Sequence, residues 1–270
     1  MITNIREPVV AGMFYDFDKA NLRESLKALF KNVPKGNYRC VISPHAGYVY
    51  SGKTAAYAIN GLKETKRFLI LGPNHNVIGY DFSIMRNGIW RTPLGDCKVD
   101  EKLANDLKTD ILREDFSAHQ FEHSIEVQLP FLQYRFKEFS FVPISIKNIN
   151  YSERFLSNCE KLGNDITSLL KKNPDVCVIA SSDFSHYLPQ KIADEKDRKA
   201  IEKIIKLDTK GFFKVLTETK ASICGYGGIA VVMQIANELN LKPNIIHKSS
   251  SGDVTRDFDS VVAYYAIGFG

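Results

Sequence analysis

Leu22, Leu26, Leu29 and Phe30 recur at the i, i+4, i+7, i+8 spacing of one helix face, and Asp18 stands where an N-cap belongs. The pattern then shortens. The apolar run YRCVIS (38–43) reads as a buried strand, and SGKTAAYAINGL after it as a helix. RFLILG (67–72) is the next strand, FSIM with GIWRTPLG is expected to form a hairpin, and a short helix is expected near 100–108. FSFVPISI predicts another strand, and Phe155, Leu162, Ile166 and Leu169 mark a helix stripe. DVCVIAS (175–181) is a further buried strand, followed by charged helices and a glycine-rich turn at 225–228. The apolar helix IAVVMQIANEL and the strands NIIHKS and SVVAYYAIGF close the chain. Strands alternating with helices argue for an α/β sheet covered on both faces. No repeat, low-complexity tract or linker interrupts the alternation, so residues 1–270 read as one domain.

Composition narrows the function classes. With 44% apolar and 25% charged residues the chain has the make-up of an ordinary globular protein. A net charge of +5 spread over 270 residues gives no concentrated basic patch, and nucleic acid is not expected as a partner. The longest apolar stretch, Val261 to Phe269, is half of what a membrane span needs, and MITNIREPVV has no apolar signal core. A cytoplasmic protein is therefore expected, without membrane association. The five cysteines are odd in number and form no C-x-x-C, which argues for reduced thiols rather than a disulfide framework or zinc ribbon.

Three histidines follow buried-strand patterns directly. YRCVIS runs into Pro44-His45, RFLILG into Pro73-Asn74-His75, and DVCVIAS into Ser182-Asp183-Phe184-Ser185-His186. Ligands of open α/β sheets bind beyond the carboxyl ends of the strands, so these residues can converge on one cleft. Cys224, before a helix rich in apolar residues, is the thiol that can join them, because a helix N-terminus favours thiolate. Cys40, Cys159 and Cys177 look like small buried hydrophobes instead. Two imidazoles and a thiolate suit Fe(II), Cu or Zn and leave coordination positions open. His186 fits general acid or base work with Asp183 holding its tautomer, and His123 of FEHSIEVQLP is a second candidate acid or base. Phe14, Tyr15, Tyr48 and Tyr50 are candidate aromatic walls of the cleft.

Two local motifs point elsewhere and fit poorly. Gly47 to Thr54 matches G-x-x-x-x-G-K-T, but Tyr48-Val49-Tyr50 is too bulky for a phosphate cradle, so no nucleotide is expected. His119 to His123 matches H-x-x-E-H, but its flanking residues leave room for only a short helix.

SPHAGYVYSG, LGPNH, EHSIEVQLP, SSDFSHY and ICGYGG occur in this order, and together they resemble the Memo family, which is related to class III extradiol ring-cleaving dioxygenases. The likeness runs from REPVVAGMFY to the closing strands and is that of a prokaryotic-type member. It implies a three-layer α/β/α sandwich with a mixed central sheet and a metal-capable cleft. Carried over by motif, His45, His75 and Cys224 match the metal ligands, and Asp183, His186 and His123 match the remaining cleft residues. The expected function is thus a metal-dependent redox enzyme, with non-haem iron or copper. The alternative is a non-catalytic module that captures a small ligand or a (phospho)peptide in the same cleft, as eukaryotic relatives are described to do. A true ring-cleaving site carries a carboxylate where this chain has Cys224, so the resemblance implies the scaffold more firmly than the reaction. Substrate and oligomeric state are not legible.

Overall fold

The computed structural model describes residues 4–270. Its strands are β1 (Ile5–Arg6), β2 (Cys40–Ser43), β3 (Arg67–Pro73), β4 (Phe82–Ile84), β5 (Ile89–Thr92), β6 (Gly95–Val99), β7 (Arg113–Glu114), β8 (Ser140–Ile146), β9 (Val176–Ser181), β10 (His186–Leu188), β11 (Pro243–Ser250) and β12 (Val261–Phe269). The helices are α1 (Lys19–Phe30), α2 (Tyr48–Gly61), α3 (Glu101–Asp106), α4 (Ser117–Gln120), α5 (Leu129–Phe136), α6 (Glu153–Lys172), α7 (Gln190–Ile205), α8 (Thr209–Thr219), α9 (Tyr226–Glu238) and α10 (Gly252–Thr255). Asp18 caps α1 by accepting from the Ala20 and Asn21 amides, and Ser152 caps α6 through the Phe155 amide.

The strands join in one mixed sheet. Its centre is parallel, in the order β8-β3-β9-β2, and β12 then packs antiparallel against β2, with β11 on its far side. Successive residues of a strand point to opposite faces. Along β3, Leu69 and Leu71 enter the core beneath α6 and α9, while Phe68 and Ile70 enter the core beneath α1, α2 and α5. β9 does the same with Val178 and Ala180 against Cys177 and Ile179. Both faces are therefore covered, which is why these strands read as unbroken apolar runs, and the architecture is the expected three-layer α/β/α sandwich.

Two local expectations fail. FSIM does not form a hairpin with GIWRTPLG: β4 pairs with β7 and β8, while β5 turns back onto β6 from Thr92 to Gly95. Nor is 225–228 a free turn, because Tyr226, Gly227 and Gly228 begin α9. The glycines serve close packing there. A Cβ on Gly225 would lie 2.4 Å from the Ser181 carbonyl oxygen, and one on Gly228 would press on Leu71 at 3.3 Å. This fit brings Cys224 against the ends of β9 and β3.

Candidate metal centre

β3, β9 and β2 are neighbours and end on the same side. His45 follows β2, His75 follows β3 and Asp183 follows β9, so sheet topology alone gathers three distant segments. The His45 and His75 rings lie 5.3 Å apart, and His123 sits 4.8 Å from His75 in a stacked arrangement. Cys224 Sγ is 3.3 Å from His45 Nε2. One ligand atom each from His45, His75 and Cys224 falls within 4.8 Å of the others. A cavity of about 470 Å³ opens above them, lined by Phe14, Tyr50, Asp183, His186 and Tyr264 among others, a size suited to a small molecule.

Hydrogen bonding fixes which imidazole nitrogen faces the cavity. Ser181 gives its one hydroxyl proton to the Ser124 carbonyl at 2.7 Å, so its oxygen accepts from Gln128 Nε2 and from His45 Nδ1, both at 2.9 Å. Gln128 is itself fixed, donating to the Pro44 carbonyl and accepting from Ser43 Oγ. His75 Nδ1 faces Glu122 Oε1 at 3.0 Å, and His186 Nδ1 faces the Ser222 carbonyl at 2.8 Å; neither oxygen can donate. In their neutral form all three rings thus carry the proton on Nδ1 and turn Nε2 toward the cavity. That is the state in which histidine binds a metal.

The electrostatics agree at His45. Burial, reinforced by the neighbouring imidazoles, holds His45 well below its ordinary value and hence neutral. Burial also works against charge on His75, but the Glu122 carboxylate outweighs it and raises the ring. Glu122 is opposed by burial too, yet the bonds from His75 and the Ser124 amide bring it down to about 2. Burial raises Asp183, against the pull of His186. Cys224 departs from expectation. Burial, with Asp183 beside it, raises the thiol rather than favouring thiolate, although the Asp183 amide points at Sγ from 3.2 Å. A cation in the site would favour its deprotonation.

Several expected roles change. Asp183 does not orient the His186 ring; its Oδ1 accepts from the His45 amide at 2.9 Å, and Ser222 holds His186. Tyr48 is not a cleft wall. α2 begins at this residue, turning its ring into the core against Tyr15 and Phe131, and its hydroxyl donates to the Val127 carbonyl. Tyr15 is likewise buried and bonded to Glu126. Phe14 does border the cavity, edge-on to His123 at 5.0 Å, and Tyr50 stands beside it. Lys53 of the phosphate-loop pattern donates to the Leu29 and Lys31 carbonyls at the end of α1, and Thr54 is held between His247 and Ser249. His119 packs on Trp90, apart from His123.

Glu122, Ser181, Gln128 and Tyr264 are site residues to which the sequence alone assigns no role. Glu122 and Ser181 had a signal, a polar residue beside a candidate histidine and a polar end to an apolar strand. Gln128 had none, because its role depends on three contacts far apart in the chain.

Among the described residues no helix is long and apolar enough to cross a membrane. A solved structure of an uncharacterized Escherichia coli K12 protein, JW3007, superposes with a TM-score of 0.53 at 12% identity, covering 87% of this chain and all of that one. At that identity the likeness speaks for the fold alone. A MEMO1 family protein of Thermoplasma volcanium is 40% identical over 274 residues, covering 97% of each chain. Another, from Sulfolobus acidocaldarius, is 40% identical over 289 residues, covering 98% of this chain and 99% of the relative. The family model for Memo-like proteins matches residues 6–268, so the chain belongs to the Memo family.

Proposed function

We propose that the cleft holds one transition-metal ion, Fe(II) or Cu with Zn as a third candidate, through His45 Nε2, His75 Nε2 and Cys224 Sγ, and that the protein is a metal-dependent oxidoreductase acting on a small molecule. The observation that carries this reading is the common Nδ1–H tautomer, which leaves lone pairs beside a thiol at metal-ligand spacing. Bound iron or copper would supply one-electron chemistry and Lewis acidity. Glu122 and Ser181 orient the two ligand rings. Its own oxygens are engaged by His75 and Ser124, so Glu122 is a positioning residue rather than a further ligand. His186, fixed by Ser222, offers Nε2 as the proton acceptor for substrate, and His123 stands ready as a second one beside Phe14. Five unpaired cysteines favour the cytoplasm, where thiols stay reduced.

Metal analysis after anaerobic purification tests the reading. Near-stoichiometric iron or copper in the wild type, lost in Cys224→Ser and His75→Ala, is the expected result. No metal in any preparation and none taken up on addition would sink it. One observation favours a second reading, a binding module: the rim carries exposed apolar side chains, with Met13 and Tyr187 more than 70% exposed. Saturable ligand binding without metal affinity, abolished by His45→Ala, would select that alternative.

A further inference from the structure

Among the described residues, three of the five buried tyrosines find a hydrogen-bond partner for the hydroxyl. Tyr15 donates to Glu126, Tyr48 to the Val127 carbonyl and Tyr226 to the Asn150 carbonyl. This is the ordinary behaviour of a phenol removed from water. Tyr264 and Tyr265 make no such bond, and of the two only Tyr264 faces the cleft. The residue is only 1% exposed, and among the described residues its hydroxyl has no hydrogen-bond partner. It also lines the cavity over the candidate metal ligands, together with His45, Asp183 and His186.

Strand alternation explains the placement. On β12, Val262 and Tyr264 share the face that borders the cleft, while Tyr265 turns into the opposite core against Phe184, its ring near Lys248. Asp183, Tyr50 and Tyr187 are near enough to act on the Tyr264 phenol, and burial together with these groups keeps it protonated. A protonated phenol fixed by packing, with its own donor unengaged, is prepared for a guest rather than for the fold.

We propose that Tyr264 contacts the ligand, its hydroxyl donating a hydrogen bond to an anionic oxygen of a small planar molecule held in the cleft. The inference rests on reading the cleft as a metal site. A dication bound by two neutral imidazoles and one thiolate keeps a net positive charge, so an oxyanion is the complementary group. Phe14, Tyr50 and Tyr187 border the same space and suit a planar body.

The test titrates 4-nitrophenolate, whose absorbance reports both its binding and its ionisation, into the protein as purified and after loading with zinc, which is colourless and redox-silent. Tyr264→Phe keeps the ring and removes only the donor. It is expected to weaken the probe about tenfold, the scale of one hydrogen bond to a charged acceptor, with zinc uptake and melting temperature unchanged. Tyr265→Phe, on the other face, should bind like the wild type. Equal affinity in Tyr264→Phe and wild type overturns the proposal, as does a wild type that binds no probe in either form. If the wild type takes up no zinc but Tyr264→Phe still weakens the probe, the metal reading fails and the donor role stands.

Discussion

Glu122 and Glu126 stand four residues apart, are both almost completely buried, and have different partners. Glu126 receives Arg6, the Tyr15 hydroxyl and the Val9 and Val10 amides, so it pins the N-terminal segment beneath the loop. Glu122 receives the His75 ring, the His75 amide and the Ser124 amide, so it fixes one candidate ligand. Asp197 on α7 is a further buried carboxylate, served by the Ser185 amide and hydroxyl, with no cation in contact among the described residues. The three show that burial says little about a carboxylate's role. Its partners decide: a guanidinium makes it structural, an imidazole makes it part of the site, and neutral donors alone leave it poorly ionised.

The largest effect should come from breaking the structural pair. Glu126→Ala leaves Arg6 charged and unpaired in the core, and urea unfolding should show a loss of about 3–5 kcal/mol. A loss under 1 kcal/mol would mean that the pair is solvated in solution. Glu122→Gln should do the reverse. It keeps the shape but replaces the charge that holds His75, so metal affinity should fall about 10- to 100-fold with little change in unfolding midpoint. If Glu122→Gln instead unfolds the protein and spares the metal, the two glutamates have been assigned the wrong way round.

Asp197 should show its effect as a pH slope rather than as a loss at one pH. Burial, opposed by the Ser185 bonds, raises it to about 7, well above an ordinary carboxylate. The native state then keeps a proton that the unfolded chain has already released. Its contribution is greatest below about pH 4, declines as pH rises and levels off above about 7. Melting temperatures of wild type and Asp197→Asn between pH 4.5 and 8 should converge at the acid end and favour the variant at the alkaline end. Parallel curves would refute the shift.

These contrasts also explain what the sequence could disclose. His45 and His75 were legible because each follows a strand buried on both faces, and such strands are plain apolar runs. Which nitrogen each ring presents was not, because Ser181, Gln128 and Glu122 meet the rings only in the folded chain. Tyr48 was misplaced for a local reason: Gly47, the N-cap of α2, makes no side-chain cap bond, so the helix starts without a written signal. The glycines at 225–228 looked like a turn because nothing nearby in sequence shows the strands that press against them. Tyr264 lay hidden inside an apolar run, beside a second tyrosine, Tyr265, that turns to the other face.

β12 has a consequence for how the molecule forms. It is bonded to β2 on one side and β11 on the other, and Ile42 pairs with Ile267 from nearly the opposite end of the chain. Closing so long a loop is slow, and until it closes the inner edge of β2 offers unpaired amides and carbonyls to any passing strand. Refolding should therefore be rate-limited by the arrival of the last strand and should aggregate more as protein concentration rises. The cleft, walled by Val262 and Tyr264, is complete only once that strand is in place.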